Sequence, residues 1–175
     1  MKVEEYKTKY YTQVRDIYIK SFPEDERYIS LEKMIERKNT KLYCLVEKEI
    51  VLGIMYLIMY NDMIFLLYLA IDNKKRSKGY GSYLLKWCLK KYTDKKIYLN
   101  IEEVNKEAID YEIRKKRLDF YLKNGFFLTN YISKEEVQNF NILSNNTKID
   151  INEYKKLDKF ISEILDEPIS NIVRF

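Results

Sequence analysis

The chain has 175 residues, of which 46% are apolar and 15% aromatic, with only four glycines and two prolines. A chain of this length and composition can bury one core without disulfides or a metal, so we expect a single domain over residues 1–175. The sequence contains no histidine. This absence excludes Ser-His-Asp and Cys-His catalysis and assigns any acid–base chemistry to Glu, Asp, Tyr, Lys or Cys.

The charge of the chain is spread along the sequence. Its 32 Lys and Arg residues and 27 Asp and Glu residues interleave, so most of them are predicted to lie on a solvated surface. No apolar run reaches the roughly 18 residues of a membrane-spanning helix, and the first residues lack the hydrophobic region of a signal peptide. Cys44 and Cys88 fall on apolar faces and are expected to be buried thiols. These features predict a cytoplasmic protein without a membrane partner.

The first part of the chain predicts an edge strand, two helices and three strands in a meander. Apolar residues recur at helical spacing until Pro23 ends the first helix. Tight turns at Glu47-Lys48-Glu49 and Asn61-Asp62 connect the strands. The predicted elements are an edge strand over 2–6, a helix over 8–21, a short helix that Ser30 caps, and strands over 41–46, 51–60 and 63–71.

A basic, glycine-containing loop follows the strand from Met63 to Ile71. The loop reads Arg76-Ser77-Lys78-Gly79-Tyr80-Gly81, and apolar residues then recur at helical spacing from Leu84 to Tyr92. Glycine permits positive φ and close approach of a ligand, and the N–H groups at a helix N-terminus are unpaired. A strand, a glycine turn and a helix N-terminus in succession therefore predict a phosphate-binding site.

The composition of this loop limits the classes of ligand that it could bind. Leu84 stands where a dinucleotide fingerprint would need its third glycine, so a Rossmann site is disfavoured. The basic cluster at this loop consists of Lys74, Lys75, Arg76 and Lys78. It indicates a compact polyanion, such as a phosphorylated cofactor, rather than a long nucleic acid. A nucleotide or nucleic-acid binder that uses this lysine-rich loop remains an alternative.

The second part of the chain predicts two strands, two helices and a hairpin. A strand over 97–101 completes a strand–helix–strand unit, so it should lie parallel to the strand over 63–71. A charged helix is predicted from Asn105 to Asn124, and Gly125 is expected to end it in the left-handed conformation. The remaining elements are a strand from Phe126, a hairpin partner over 137–143, and a helix over 150–166 with a capping box of Asp150 and Glu153.

Two motifs in this order resemble those of a known family. Arg76-x-x-Gly79-x-Gly81, after an apolar strand and before an amphipathic helix, resembles the acetyl-CoA-binding motif of the GNAT superfamily of N-acetyltransferases. The segment Phe120-Tyr121-x-x-x-Gly125-Phe126 resembles a second segment of that family. The resemblance extends to about residue 145 and implies an α/β GNAT fold, with a central mixed, partly splayed sheet and helices on both faces.

The resemblance implies transfer of an acetyl group from acetyl-CoA, the cosubstrate, to a primary amine by direct attack in a ternary complex. The acceptor would be a small-molecule or peptide amine, no nucleic acid would be bound, and the chain would act as a monomer or homodimer. Backbone groups at the strand end would hold the pantetheine arm and the acetyl carbonyl, and the loop amides would bind the pyrophosphate. The implied cofactor-binding residues are Leu69, Ala70, Ile71, Arg76, Ser77, Lys78, Gly79, Tyr80, Gly81 and Ser82.

The same resemblance implies which residue is the general acid of the reaction, but it does not decide between two candidates for the general base. Tyr121 matches the family tyrosine that protonates the CoA thiolate, although it could also be a core aromatic residue. Glu102 and Glu103 end the strand opposite the loop and are the candidate bases. Adjacent residues of a strand point to opposite faces, so only one of them can face the cleft. In similar proteins the connection over residues 24–28 borders the acceptor site.

The sequence also departs from the family. Arg114 and Arg117 occupy positions where many members carry Asn and a small residue, which suggests a cleft with its own shape. The run of basic residues over 114–117 is either a solvated helix face or a contact for the adenosine phosphate. A catalytically silent acyl-CoA-binding or sensing module on the same fold is the alternative function.

Overall fold

The computed structural model describes residues 1–135 and 138–174. Among these residues the strands are β1 (Lys2–Glu5), β2 (Thr40–Glu47), β3 (Ile50–Tyr60), β4 (Met63–Ile71), β5 (Lys96–Glu102), β6 (Phe127–Lys134), β7 (Asn139–Ser144) and β8 (Asn171–Arg174). The α-helices are α1 (Tyr11–Ser21), α2 (Leu31–Glu36), α3 (Tyr80–Lys91), α4 (Tyr111–Lys123) and α5 (Ile151–Leu165). Short 3-10 helices lie at Thr8–Tyr10, Glu24–Glu26 and Asn73–Lys75.

The described chain divides into two compact units. The first unit consists of residues 1–59 and 66–93, and the second of residues 60–65 and those from Asp94 onward. A single domain over residues 1–175 stays a prediction. None of the helices in the described part of the chain is long and apolar enough to cross a membrane.

The first unit contains strands in the order β1-β2-β3-β4, with helices on both faces. On one face, Leu84 of α3 packs with Leu45 and Leu52 of the sheet, and Ile71 of β4 joins this cluster. On the other face, Tyr68 of β4 makes an edge contact with Tyr18 of α1, with ring centroids 5.2 Å apart. The predicted arrangement of helices on both sides of a sheet is therefore confirmed in this unit.

The second unit contains strands in the order β4-β5-β7-β6-β8. The start of β4 runs parallel to β5, from Met63 opposite Lys96 to Phe65 opposite Tyr98, as predicted for a strand–helix–strand unit. The pairs β5–β7, β6–β7 and β6–β8 are antiparallel, so the sheet is mixed. Strand β8 was not predicted from the sequence.

The hairpin between β2 and β3 shows why the sequence predicted these boundaries well. Lys48 and Glu49 form the turn, and both have positive φ, at 48° and 65°. Two left-handed residues give the type of tight turn whose twist matches that of the strands it joins.

Ser30 caps α2 as predicted, since its Oγ accepts a hydrogen bond from the Lys33 N–H at 3.4 Å.

Three predictions in the second unit need correction or qualification. Helix α4 begins at Tyr111 instead of Asn105, because the Asn105 side chain accepts a hydrogen bond from the Glu107 N–H and starts a series of turns. The capping box is incomplete, because Glu153 pairs with Lys96 instead of returning to the Asp150 N–H. Val137, the predicted start of the β6 hairpin partner, lies outside the described residues.

Gly53 is a close-contact position within β3. A Cβ atom at this position would lie 2.8 Å from the Ala70 carbonyl oxygen and closer still to the Ile71 Cδ1 atom. The absence of a side chain at Gly53 therefore allows the end of β4 to take its place beside β3.

Gly53→Ala is expected to lower the free energy of unfolding by about 1–3 kcal/mol, because the added methyl group must displace the backbone of β4. Urea unfolding followed by circular dichroism measures this change. Ile50→Ala is the control, since Ile50 lies on the same strand and is half exposed. Equal stability of Gly53→Ala and the wild type would contradict the close contact.

Glu4 of β1 connects the strand with the first helical segment. Its carboxylate accepts hydrogen bonds from the Lys7 Nζ and the Tyr10 hydroxyl, each at 2.6 Å. The Lys7 bond, with that of Tyr10, lowers the pKa of Glu4 from 4.5 to about 2. The stabilising contribution of the ionised carboxylate is thus complete above pH 4.5 and is lost as the pH falls towards 2.

We therefore expect the melting temperature of the wild type to fall towards that of Glu4→Gln as the pH is lowered through this range. Thermal unfolding of both proteins at a series of pH values between 7 and about 2 measures the difference. A difference in melting temperature that stays constant over the series would show that Glu4 does not contribute through its charge.

Candidate active site

The end of β4 and the start of α3 form the glycine-containing junction of the first unit. The Asp72 N–H donates to the Leu52 carbonyl oxygen at 3.0 Å, which fixes the end of β4 against β3. The Asp72 carboxylate then accepts from the Lys74 N–H at 3.1 Å and holds the following turn. The path of the chain into the loop is therefore set by hydrogen bonds on both sides of Asp72.

The backbone at the end of β4 offers its polar groups in alternating directions. Since Asp72 bonds to β3, alternation along a strand directs the backbone groups of Ala70 towards β3 as well. The backbone groups of Leu69 and Ile71 point away from β3. Of the three residues predicted at this strand end, Leu69 and Ile71 can thus offer backbone groups to a ligand, while Ala70 supports the strand.

Gly79 begins α3 in the left-handed conformation, with φ of 78°. Among the described residues, no atom other than those of its chain neighbours lies within 4 Å of the position where its Cβ would stand, so it is the left-handed backbone that favours glycine here. The first helical hydrogen bond runs from the Tyr83 N–H to the Gly79 carbonyl oxygen at 2.9 Å. The amides of Tyr80, Gly81 and Ser82 precede this bond and face outward at the positive end of the helix dipole. This arrangement suits an anion such as a phosphate.

Arg76 contributes positive charge at the end of β4. Its Nε donates to the Ile71 carbonyl oxygen at 3.3 Å, so the side chain folds back towards the strand. Ser77 and Lys78 continue the loop and are exposed, with Ser77 at a positive φ of 64°. The loop therefore combines free amides with basic side chains, which is the chemistry that a pyrophosphate group requires.

Gly53 lies beside the candidate site and was not predicted from the sequence. It lies on β3 directly beside Ala70 and Ile71, two of the predicted cofactor-binding residues. A lone glycine within an apolar strand is a signal of close backbone approach, and this signal was available in the sequence.

Tyr121 lies on α4 in the second unit and is half-buried. Its ring makes edge contacts with Phe120 and with the buried Phe126, with ring centroids 5.2 and 5.9 Å apart. Loss of hydration raises the pKa of Tyr121 to about 12, and the positive charge of Arg117 acts in the opposite direction. Tyr121 therefore carries its proton throughout the neutral range and can serve as a proton donor.

The two candidate bases have different surroundings. Glu102 is the last residue of β5, shares a strand face with Asn100, and forms an ion pair with Arg117 of α4. Glu103 follows the strand, and its carboxylate accepts from the Asn139 amide at 2.9 Å. One candidate is therefore held by a positive charge and the other by a neutral amide.

The connection over residues 24–28 is fixed through its backbone. The Tyr68 hydroxyl donates to the Glu26 carbonyl oxygen at 3.1 Å and accepts from the Tyr28 N–H at 2.9 Å. The side chains of Glu24 and Asp25 are exposed. Tyr68 of the first unit thus holds the backbone of this acidic segment, while the carboxylates of Glu24 and Asp25 remain exposed to solvent.

Both cysteines are buried, as predicted, and burial raises the pKa of Cys44 and of Cys88 to about 12. Neither thiol is therefore suited to form an acyl-enzyme. Within residues 1–135 and 138–174, no cluster of acidic residues and cysteines could hold a metal ion.

The predicted site residues divide between the two units. The first unit holds all the predicted cofactor-binding residues in the continuous stretch from Leu69 to Ser82. The second unit holds Tyr121, Glu102 and Glu103, with Arg117 beside both Glu102 and Tyr121.

Known structures share this fold at low sequence identity. A GNAT-family protein from Bacteroides thetaiotaomicron is 19% identical, with a TM-score of 0.75, and the match covers 94% of this chain and 98% of that chain. An aminoglycoside 6'-N-acetyltransferase complexed with coenzyme A is 16% identical, with a TM-score of 0.66 and coverage of 86% and 100%. The ribosomal-protein-S18-alanine N-acetyltransferase from Escherichia coli is 14% identical, with a TM-score of 0.61 and coverage of 82% and 91%.

Sequence comparison gives the family. No curated protein sequence matches the chain significantly. The model of the acetyltransferase (GNAT) family matches residues 9–126, a range that contains both the Arg76–Gly81 motif and the Phe120–Phe126 segment. The chain therefore belongs to the acetyltransferase (GNAT) family.

Proposed function

We propose that this chain is an N-acetyltransferase that transfers the acetyl group of acetyl-CoA to a primary amine by direct attack in a ternary complex. The observation that carries the proposal is the start of α3, where the left-handed Gly79 presents three outward-facing amides at the end of β4. This junction lies within the segment that matches the family. A solved structure with the same fold is a complex with coenzyme A, which supports an acyl-CoA ligand.

The first unit supplies the proposed cofactor contacts. The amides of Tyr80, Gly81 and Ser82, with the loop from Arg76 to Gly79, bind the pyrophosphate. The backbone groups of Leu69 and Ile71 bind the pantetheine arm and the acetyl carbonyl. Arg76 donates one hydrogen bond to the Ile71 carbonyl oxygen, and the second lone pair of that oxygen is left for the pantetheine arm.

The second unit supplies the proposed proton transfers. The amine nitrogen attacks the carbonyl carbon, a carbon–nitrogen bond forms, and the carbon–sulfur bond breaks. Tyr121 gives its phenolic proton to the departing sulfur and later regains one from solvent. The proton that the amine loses passes to Glu102, to Glu103 or to water. The exposed carboxylates of Glu24 and Asp25 favour a cationic amine as the acceptor.

Gly81→Glu is expected to weaken acetyl-CoA binding by about 100-fold or more, because it places a carboxylate where the pyrophosphate is bound. Isothermal titration calorimetry measures the affinity. Thr93→Glu is the matched control, since it adds the same charge at an exposed position beyond the other end of α3. Unchanged affinity of Gly81→Glu would show that the phosphates are bound elsewhere.

Tyr121→Phe is expected to lower kcat by about 100-fold to 1,000-fold with near-normal affinity for acetyl-CoA, because a general acid contributes to the chemical step and not to cofactor binding. Release of the CoA thiol in the presence of a panel of amines measures the rate. Tyr111→Phe, on the same helix, is the control and should retain the wild-type rate. A wild-type rate for Tyr121→Phe would exclude Tyr121 as the acid.

The same experiment separates the enzyme from a silent acyl-CoA-binding module. Tight binding of acetyl-CoA by the wild type, with no thiol release for any amine of the panel, would favour the silent module.

A further inference from the structure

Helix α4 carries Tyr121 but has little apolar anchoring. None of its residues, all of which the structure describes, is fully buried. Ile113 and Leu122 are 61% and 42% exposed. By contrast, α5 of the same unit buries four large side chains, Tyr154, Leu157, Ile161 and Ile164. Leu118, Phe120 and Tyr121 are half-buried and give α4 a partial apolar contact, so polar contacts have room to contribute to its position in the second unit.

Two arginines supply such contacts with the end of β5. The Arg117 guanidinium forms an ion pair with the Glu102 carboxylate, whose side chain is only 15% exposed. The Arg114 guanidinium donates to the Glu103 carbonyl oxygen at 3.1 Å and is itself oriented by Asp110 at 2.7 Å. Both arginines of α4 thus contact consecutive residues at one strand end.

The spacing on the helix places these contacts on the side that carries Tyr121. Arg114, Arg117 and Tyr121 follow one another at intervals of three and four residues, so they lie along one face of α4. Arg117 is one turn before Tyr121, and its charge acts on the phenol as well as on Glu102. A shift of α4 relative to β5 would therefore displace the Tyr121 hydroxyl directly.

We infer that Arg114 and Arg117 form a clamp that holds α4 on the end of β5 and positions Tyr121, with Glu102 as the anchor of the clamp instead of the catalytic base. A carboxylate paired with a guanidinium is stabilised in its ionised form and oriented towards its partner, which makes it a poor proton acceptor. Glu103, whose carboxylate is held by the neutral Asn139 amide, is left as the candidate base. The kinetic part of this inference rests on the proposed function of Tyr121.

The test compares Arg117→Gln, Glu102→Gln, the variant with both changes, and the charge swap Glu102→Arg with Arg117→Glu. Each single variant is expected to lower kcat about 10-fold to 100-fold and to leave the KM for acetyl-CoA within about twofold, because only the position of the acid changes. The double Gln variant should be no slower than either single variant, since both remove one ion pair. The charge swap and Arg117→Lys should recover part of the lost rate.

Amide hydrogen exchange provides a measurement that does not depend on catalysis. Arg117→Gln should increase exchange over residues 111–123 of α4 and leave α5 unchanged, because α5 is held by its own buried side chains. Unchanged exchange in α4 would overturn the clamp. A Tyr121→Phe background gives a further check, since Arg117→Gln should then cause no additional loss of kcat.

The possible results of these experiments show whether the clamp or the proposed function is wrong. Normal exchange in α4 of Glu102→Gln, combined with a charge swap that folds but is as slow as Glu102→Gln, would show that Glu102 is the base. If the charge swap does not fold, additive losses in the double Gln variant would overturn the clamp instead. If no amine is acetylated by the wild type but Arg117→Gln loosens α4, the clamp stands and the proposed function fails.

Discussion

The left-handed backbone of Gly79 is the constraint on which the candidate cofactor site depends. It redirects the chain after the loop so that α3 begins with its free amides at the end of β4. Side chains other than glycine are strained at this φ even though the space around Gly79 is open. The phosphate-binding potential of the loop is therefore a property of the backbone, and the basic side chains add charge to an arrangement that the backbone has already set.

Strand β3 of the first unit fixes the position of the junction between β4 and α3. Gly53 lets the end of β4 lie close to β3, and the bond from the Asp72 N–H to Leu52 fixes where the strand stops. These contacts explain how the backbone of Leu69 and Ile71 comes to point away from β3. The end of β4 is thus fixed by its contacts with β3, and the start of α3 is fixed by the left-handed Gly79. Because these positions are close in the chain, a change in one is expected to move the other.

Local patterns predicted much of the fold and of the candidate site. Met63–Ile71 is an apolar run bounded by turn residues, and the structure gives the strand the same limits. The predictions for Gly79 and Gly125 also rested on local chemistry, since a glycine at a helix end is readily left-handed. Such features depend only on residues close in sequence, and these are the features that a single sequence predicts best.

The remaining features depend on contacts between residues far apart in the sequence. Glu153 fitted a capping box, but Lys96 lies on a neighbouring strand and takes its carboxylate. The charged sequence after Asn105 resembles that of an exposed helix. In the structure this segment forms turns, and the Asn105 side chain accepts a hydrogen bond from the Glu107 N–H. The role of Gly53 required knowledge of which strand lies beside it.

Because the chain has no histidine, the proposed acid–base chemistry depends on a tyrosine and on carboxylates. A tyrosine with a pKa near 12 remains protonated at neutral pH but yields its proton at a cost, so a positive charge one turn away is of direct use to it. Arg117 provides that charge and at the same time ties the helix to Glu102. In the proposed clamp, Arg117 therefore affects both the position and the electrostatic environment of Tyr121. This pairing is the reason why the proposed clamp leaves Glu102 a poor proton acceptor for an amine.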